Sequence, residues 1–300
     1  MKKALILGIA GSFFFAFTFI LNRSMHLSGG SWVWSASLRY IFSAPILAFI
    51  VWKKYGFSLI HAEIKKHWKS WIIWSTVGFG FFYTPLSFAG DYGESWLIAA
   101  TWQITIVMGV LLTPLFGKKI PIKNLLASGI ILGGVFLLQL HNLRNCELQT
   151  TALTLLPILA AAVSYPLGNR KMMQLCDDNL STIERVYGMT LCSMPFWCIV
   201  AIYGYTKLGI PSEFQIIQSL SVALFSGIIA TLLFFQATAY VKSNSKQLAV
   251  IESTQAGEVI FTLLGGIVFL GDSIPTLEGF IGILFIIVGM ISNSLFSRES

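Results

Sequence analysis

Ten stretches of roughly 20 mostly apolar residues, joined by short loops, dominate this chain. A helix that crosses the roughly 30 Å hydrocarbon core of a bilayer needs about that many residues, because it rises about 1.5 Å per residue. Charged residues make up 11% of the chain and hydrophobic residues 55%, which leaves too few charges to cover a soluble protein. The sequence therefore predicts an all-α integral membrane protein with ten transmembrane helices. The predicted spans are 3–22, 32–52, 70–89, 95–116, 124–141, 151–169, 183–203, 216–240, 247–270 and 276–296.

The distribution of Lys and Arg predicts the orientation of these helices. Basic residues accumulate in the cytoplasmic loops of membrane proteins. With the N-terminus inside, every inner loop contains Lys or Arg, whereas the outer loops contain only Arg23, Arg144 and Lys207. We therefore expect a multi-pass protein of the plasma (inner) membrane with cytoplasmic N- and C-termini. Topology also accounts for the net charge of +7, so we expect no nucleic-acid partner.

Several motifs of the first half recur in the second half at a nearly constant distance. The recurring pairs are Asn22-Arg23 with Asn169-Arg170, Thr101-Trp102-Gln103 with Ser253-Thr254-Gln255, and Gly117-Lys118-Lys119-Ile120-Pro121 with Gly271-Asp272-Ser273-Ile274-Pro275. They predict two five-helix repeats, residues 1–145 and 146–300. Because five is odd, the second repeat enters the membrane from the opposite side. Proteins with such inverted repeats bind their substrates near the midplane, between the repeats.

Four motifs spread along the chain are similar to those of one family of membrane proteins. They are Phe17-Thr18-Phe19-Ile20-Leu21-Asn22-Arg23, Gly29-Gly30-Ser31-Trp32 with Leu38-Arg39-Tyr40, Thr101-Trp102-Gln103-Ile104-Thr105, and Glu252-Ser253-Thr254-Gln255-Ala256-Gly257-Glu258. In these residues the chain resembles the drug/metabolite transporter superfamily, and most closely its multidrug resistance efflux transporters. The resemblance implies ten spans in two repeats. It also implies a small-molecule substrate such as a cationic drug, an amino acid, a sugar or a nucleotide sugar.

Glu258 is the first candidate for a functional residue. Ionisable side chains are costly in the hydrocarbon region and mark candidate sites. Glu258 is the twelfth of the 24 residues of predicted span 9, too deep to reach either surface. Burial favours the protonated form of a carboxyl group, so Glu258 can exchange a proton for a substrate. Gln255 and Glu252 lie on the same side of this helix at 100° per residue. The alternative is that these groups hydrogen-bond neighbouring helices.

Gln103, Thr101 and Trp102 in span 4 are further candidates, because Gln103 is the repeat counterpart of Gln255. These residues either line the same cavity from the other repeat or hydrogen-bond other helices. Arg39, the eighth residue of span 2, can pair with a substrate carboxylate or with Glu258. It can also extend outward to the interface.

Two other features of the spans lead to predictions. Tyr83 in span 3 can stack on a flat or cationic substrate. Gly129 and Gly133 in span 5 form a GxxxG pattern, which predicts close packing within the protomer or between protomers.

The function that these features favour is secondary transport. We expect export of a small amphipathic, cationic or zwitterionic compound by alternating access, with protons as the coupling ion. The alternatives are a proton-independent facilitator or importer and, more remotely, a lipid-modifying membrane enzyme. An enzyme would need clustered acid–base or metal-binding side chains, and the four histidines form no such pattern. We therefore expect no enzymatic activity, no metal and no cofactor.

Overall fold

The structure, a computed structural model, is helical throughout the residues that it describes. The described residues are 1–117, 119–144, 148–176, 179–241 and 244–296. The predicted repeat boundary at 145/146 lies outside these ranges, as do the basic residues Lys118, Lys242 and Arg298. Within them, the prediction of an all-α protein is confirmed.

Nine helices in the described ranges are long and apolar enough to cross a membrane, and a shorter apolar helix, Ser95–Leu111, lies between the third and the fourth. We number these helices α1 to α10 in chain order. Their bounds are α1 Lys2–Leu27, α2 Trp32–Lys54, α3 Trp68–Ala89, α4 Ser95–Leu111, α5 Ile122–Arg144, α6 Leu148–Cys176, α7 Thr182–Leu208, α8 Glu213–Ala239, α9 Val250–Leu270 and α10 Leu277–Phe296. An additional short helix, Ser58–Lys66, connects α2 and α3.

Helix α4 is shorter than its predicted span, 95–116. The α-helix ends at Leu111, and a single 3₁₀ segment, Thr113–Phe116, continues the chain to Gly117. Pro114 lies in this segment, where its ring prevents a regular α-helical hydrogen bond. Gly117 then adopts a left-handed conformation with φ of 73°, which glycine tolerates without strain. The chain therefore turns away before the predicted end of the span.

Four of the membrane helices are irregular in their interiors. Helices α3, α8 and α9 contain the π-helical segments Thr76–Gly80, Ala223–Ala230 and Gly266–Leu270. Helix α4 is interrupted at Gln103, and α9 changes to a 3₁₀ segment at Thr254–Ala256. Such interruptions expose backbone polar groups, so membrane proteins tolerate them where they are buried in protein or line a cavity. Two of the predicted site residues, Gln103 and Gln255, lie at these interruptions.

The tightest of the glycine contacts in the α5–α10 pair does not involve the predicted GxxxG glycines. A methyl group added at Gly134 of α5 would lie 2.6 Å from the carbonyl oxygen of Gly282 of α10. At Gly133 it would meet only the Phe285 ring, at 3.9 Å, and at Gly129 nothing within 4 Å. Gly129 and Gly133 therefore do not pack closely within the protomer, and the alternative, packing between protomers, stays a prediction. Successive residues differ by 100° on a helix, so Gly134 lies against the α10 backbone, whereas its neighbour Gly133 meets only the edge of α10 at the Phe285 ring.

The bundle has two faces that differ in their connections. The terminal face carries the start of α1, the start of α5 and the end of α10, where the side chain of Asn124 donates hydrogen bonds to Asn293 at 2.9 and 3.0 Å. The distal face carries the end of α1, the start of α4 and the loop before α10. We use these two terms below.

Candidate functional site

Arg39 of α2 points into the bundle, where three elements hold it. Its guanidinium nitrogens donate hydrogen bonds to Thr18 of α1 at 3.4 Å and to Ser226 of α8 at 3.2 Å. The two hydroxyl groups also hydrogen-bond each other. The guanidinium carbon lies 4.2 Å from the ring centroid of Tyr83, within the range of a cation–π interaction. Arg39 forms no ion pair with any residue that the structure describes.

Aromatic rings form a continuous wall beside Arg39. Tyr40 stacks on Trp197 at 4.4 Å and meets the edge of Tyr83 at 5.7 Å. Phe82 continues the contacts from Tyr83 to Trp102 and Tyr165. We call these rings the aromatic wall: Tyr40, Phe79, Phe82, Tyr83, Trp102, Tyr165 and Trp197. The structure thus joins Tyr83 and Trp102, which the sequence predicted separately.

A hydrogen bond between Tyr83 and Asn22 holds Tyr83 in the aromatic wall. The Tyr83 side chain is completely buried, and its hydroxyl group donates a hydrogen bond to the side-chain oxygen of Asn22 at 3.2 Å. Asn22 is buried in α1, one turn after Thr18. The Tyr83 ring therefore contacts the Arg39 guanidinium, and its hydroxyl group is held by Asn22, a second polar residue of α1.

Glu258 lies in the first turn after the interruption of α9. It is within electrostatic range of Arg39 and Tyr165. Its carboxyl group nevertheless has no hydrogen bond or ion pair with a described residue. The Thr262 hydroxyl group donates a hydrogen bond to the Glu258 backbone carbonyl, at 2.7 Å, and not to the carboxyl group. Glu258 and Arg39 both lie inside the bundle, and neither residue is fully buried.

A cavity of about 400 Å³ leads toward these residues from the terminal face. It runs from Pro121 and Asn293, at the ends of α5 and α10, to Gln255 and Tyr165. The remaining lining residues are Thr105, Ile106, Gly109, Val110, Thr113, Asn124, Pro166 and Arg170. Because Tyr165 also belongs to the aromatic wall, the cavity and the Arg39–Glu258 region adjoin at that ring.

The other predicted site residues have different surroundings. Gln103 is buried and donates a hydrogen bond to the Ala99 carbonyl of its own helix at 3.1 Å. Thr101 is completely buried and accepts a hydrogen bond from Gln139 of α5 at 3.4 Å. Glu252 is partly exposed, nearer the terminal face than Gln255. The structure therefore brings Arg39, Tyr83, Trp102, Gln255 and Glu258 to one region, whereas Thr101 and Gln103 make contacts between and within helices.

Sequence reasoning missed several residues of this region. Thr18 and Ser226, which bind Arg39, come from helices that are 208 residues apart in sequence. Tyr165 precedes Pro166 in an apolar helix, and its hydroxyl group, inside predicted span 151–169, was a usable signal. Within the described residues, no group of three or more His, Cys, Asp or Glu side chains can hold a metal ion.

Hydrogen bonds connect the start of α4 to the loop before α10 at the distal face, beside a second cavity of about 440 Å³ that Glu94, Leu97 and Ser273 help to line. The Asp272 carboxylate accepts hydrogen bonds from the Ser95 backbone N–H, at 2.9 Å, and from its hydroxyl group. The Glu94 carboxylate accepts one from the Ser273 N–H at 3.0 Å, and the Trp96 indole donates one to the Ser273 carbonyl at 3.1 Å. The two segments belong to the two sequence halves, so the halves are tied together at this face.

A second polar contact at the distal face joins the end of α1 to the loop between α3 and α4. His26 Nδ1 is 3.3 Å from a carboxylate oxygen of Asp91 in the loop between α3 and α4. Burial raises the pKa of Asp91 to about 7, although the Trp32 backbone N–H and the charge of Arg23 act in the opposite direction. Asp91 therefore titrates near neutral pH.

Comparison with known proteins identifies the family. Residues 2–299 match the family model described as "EmrE: Putative multidrug resistance efflux transporter". The chain belongs to this EmrE family. It is 49% identical to the protein titled "Uncharacterized protein YjlA" of Bacillus subtilis (strain 168), over 99% of this chain and 95% of that protein. It is 42% identical to the "Uncharacterized 42.1 kDa protein in intracellular alkaline protease 3'region" of Shouchella clausii, over 86% and 70% of the two chains.

Membership of the EmrE family confirms the resemblance seen in the sequence. With the apolar helices, it makes this chain a multi-pass membrane transporter for a small molecule. A transporter family is also consistent with the expectation that the protein is not an enzyme.

Proposed function

We propose that the protein is a secondary transporter that exports a small amphipathic, cationic or zwitterionic compound by alternating access, in exchange for protons. The observation that carries the proposal is the position of Glu258. Its carboxyl group lies near the middle of a membrane helix, without a protein partner among the described residues, three residues after Gln255, which lines a cavity at the terminal face. Unpaired ionisable groups at this depth are typical of ion and substrate pathways.

The irregular helices support two inverted five-helix repeats, 1–145 and 146–300, with α4 as the fourth of ten spans. The π-helical segments start at Thr76 and Ala223, and the interruptions of α4 and α9 lie at Gln103 and Thr254–Ala256. Gly117 and Gly271, both left-handed, end the corresponding helices. These features recur at the same distance as the sequence motifs. In proteins with such repeats, the substrate site lies between the repeats and access alternates between the two faces.

The basic loops support a cytoplasmic terminal face. With this orientation, the cavity at the terminal face opens to the cytoplasm, and the distal face, where Asp272 and Ser95 connect the two halves, faces outward. The described conformation then corresponds to an inward-facing state. A compound that enters from the cytoplasm would reach Gln255 and Tyr165, which border the Glu258 region, as an exporter requires.

Glu258 has the chemistry to couple substrate to protons. A carboxyl group in a low-dielectric region is stable either as a neutral acid or as a carboxylate paired with a cation. Binding of a substrate with a positive group would thus release the proton to the cytoplasm. After the transporter opens outward, protonation from that side would release the substrate. Each cycle would therefore move protons inward and substrate outward.

Proton release on substrate transport tests this proposal. Proteoliposomes that contain a pH-sensitive dye would receive ethidium as a cationic probe or phenylalanine as a zwitterionic probe, under an imposed pH gradient. We expect proton flux that depends on at least one of the two probes for the wild type, and no such flux with either probe for Glu258→Gln. Glu213→Gln, which removes an exposed carboxyl group at the start of α8, is the matched control and should behave as the wild type. Equal probe flux in Glu258→Gln would instead favour a proton-independent facilitator.

A further inference from the structure

We propose that Arg39 binds an anionic group of the transported compound, so that the substrate carries a carboxylate and is not a bare cation. The inference deepens the proposed function and depends on it, because it assigns the substrate class of the same site. It rests on the guanidinium without a counter-ion, its electrostatic interaction with Glu258 without an ion pair, and the adjoining aromatic wall.

The first step is that Arg39 lacks a counter-ion. A guanidinium group stays charged in proteins and has five N–H donors. The hydroxyl groups of Thr18 and Ser226 accept two hydrogen bonds from it, and both acceptors are neutral. No carboxylate among the described residues forms an ion pair with Arg39. A charge removed from water needs a partner of opposite charge, and Arg39 is not fully buried.

The second step is that Arg39 disfavours a bare cation at Glu258. The two side chains are close enough to interact electrostatically, but they do not contact each other. A cation that paired with Glu258 would lie near the positive guanidinium, in a region where water screens charges poorly. A compound with both an ammonium group and a carboxylate would pair with both residues and leave neither charge unmatched.

The third step is that the Arg39 guanidinium is held in an orientation suited to binding a carboxylate. A planar guanidinium binds a carboxylate through two parallel hydrogen bonds. The Tyr83 ring supports the face of the guanidinium at 4.2 Å, and the bonds to Thr18 and Ser226 fix its rotation. Phe82, Trp102 and Tyr165 continue from Tyr83 as an apolar surface. A ring attached to the carboxylate-bearing end can pack against it.

Three probes with the same phenyl ring separate the charge classes: 3-phenylpropionate, phenethylamine and phenylalanine. They are anionic, cationic and zwitterionic. Thermal unfolding of the full chain in detergent, at increasing probe concentration, gives the affinity for each. We expect phenylalanine and 3-phenylpropionate to stabilise the wild type, and phenethylamine to bind about tenfold more weakly or not at all. Equal or tighter binding of phenethylamine, or no binding of either acid, would overturn the proposal.

Variants of the Arg39 site test the assignment. Arg39→Gln should weaken binding of both acids about tenfold or more, the effect of losing a charge-assisted contact. Ser226→Ala, which keeps the charge and removes one support, should weaken the same two probes less. Lys207→Gln, a change of a basic residue at the distal end of α7, is the control and should leave all affinities unchanged.

The outcomes remain decisive if Arg39→Gln does not fold, because Arg39→Lys and Ser226→Ala also predict selective loss of the acids. Unchanged acid affinity in the folded variants would refute the role of Arg39. The binding assay needs no proton gradient, so loss of proton coupling in the flux assay leaves its result intact. Conversely, proton-coupled ethidium flux with no carboxylate binding would refute this inference and leave the proposed function standing.

Discussion

Replacement of Gly134 by Ala tests the packing of α5 on α10. An added methyl group would lie 2.6 Å from the Gly282 carbonyl oxygen, 2.8 Å from an Ile286 side-chain carbon and 3.0 Å from the Ile286 nitrogen. Two of these atoms are backbone, so no side-chain rotation relieves the contact. Ordinary contacts begin at 3.4 Å, and the helices would therefore separate locally by roughly 0.8 Å. A gap of that size forfeits about a quarter to a half of the dispersion energy of the facing atoms.

Gly133→Ala is the matched control, one residue away on the same helix. Both variants gain the same helix propensity, up to about 1 kcal/mol for Ala over Gly. Only Gly134→Ala introduces a close contact, since the methyl group at Gly133 would meet the Phe285 ring at 3.9 Å. The difference between the variants therefore isolates overpacking, which typically costs about 1–3 kcal/mol.

Equilibrium unfolding in mixed micelles with increasing SDS would measure this difference. We expect Gly134→Ala to be less stable than Gly133→Ala by about 1–3 kcal/mol, with Gly133→Ala equal to or above the wild type. Equal stability of the two variants would refute the α5–α10 contact described here.

Two further predictions concern the distal face. Asp91, with a pKa of about 7 against an ordinary value of 3.8, contributes stability that is complete below about pH 4 and is lost as the pH rises through about 7. Asp91→Asn should therefore show a smaller decrease in Tm between about pH 5 and pH 8 than the wild type, and an unchanged decrease would contradict the burial of this carboxyl group. Asp272→Asn removes the charge-assisted bonds to Ser95, worth about 1.5–3 kcal/mol, and should increase the outward-open population about tenfold or more. In a cysteine-free background, Leu97→Cys should then react faster with an impermeant maleimide from the distal face when Asp272→Asn is also present. Equal rates with and without Asp272→Asn would argue against a role of the Asp272–Ser95 hydrogen bonds in holding this face together.

The sequence predicted the helices well because hydropathy and span length respond to the same physical constraint, the thickness of the bilayer. The depth of Glu258 followed from its position in its span. Helix rotation could not be predicted in the same way. Each residue turns by 100°, so a shift of one position separates the tightly packed Gly134 from Gly133, and no pattern in a single sequence specifies which glycine faces α10.

The direction of the Arg39 side chain could not be predicted from the sequence either. The sequence allowed it to face inward or to reach the outer interface. The partners that turn it inward, Thr18 and Ser226, lie in helices far apart in sequence, so only their packing brings them together. Gln103 and Thr101 were grouped with Gln255 by repeat symmetry, but their hydrogen bonds are with Ala99 and Gln139. Symmetry relates positions in the fold and does not require the same side-chain contacts.

Water access to position 258 tests the central claim most directly. In a cysteine-free background, Glu258→Cys would be treated with a membrane-impermeant thiol reagent from each face. Leu264→Cys, on the same helix, is the control, because Leu264 is 55% exposed on the surface of the bundle and should react only with a lipophilic reagent. We predict that Glu258→Cys reacts with the impermeant reagent from the terminal face. If it reacts from neither face, or behaves as Leu264→Cys does, Glu258 has no aqueous path and cannot exchange protons.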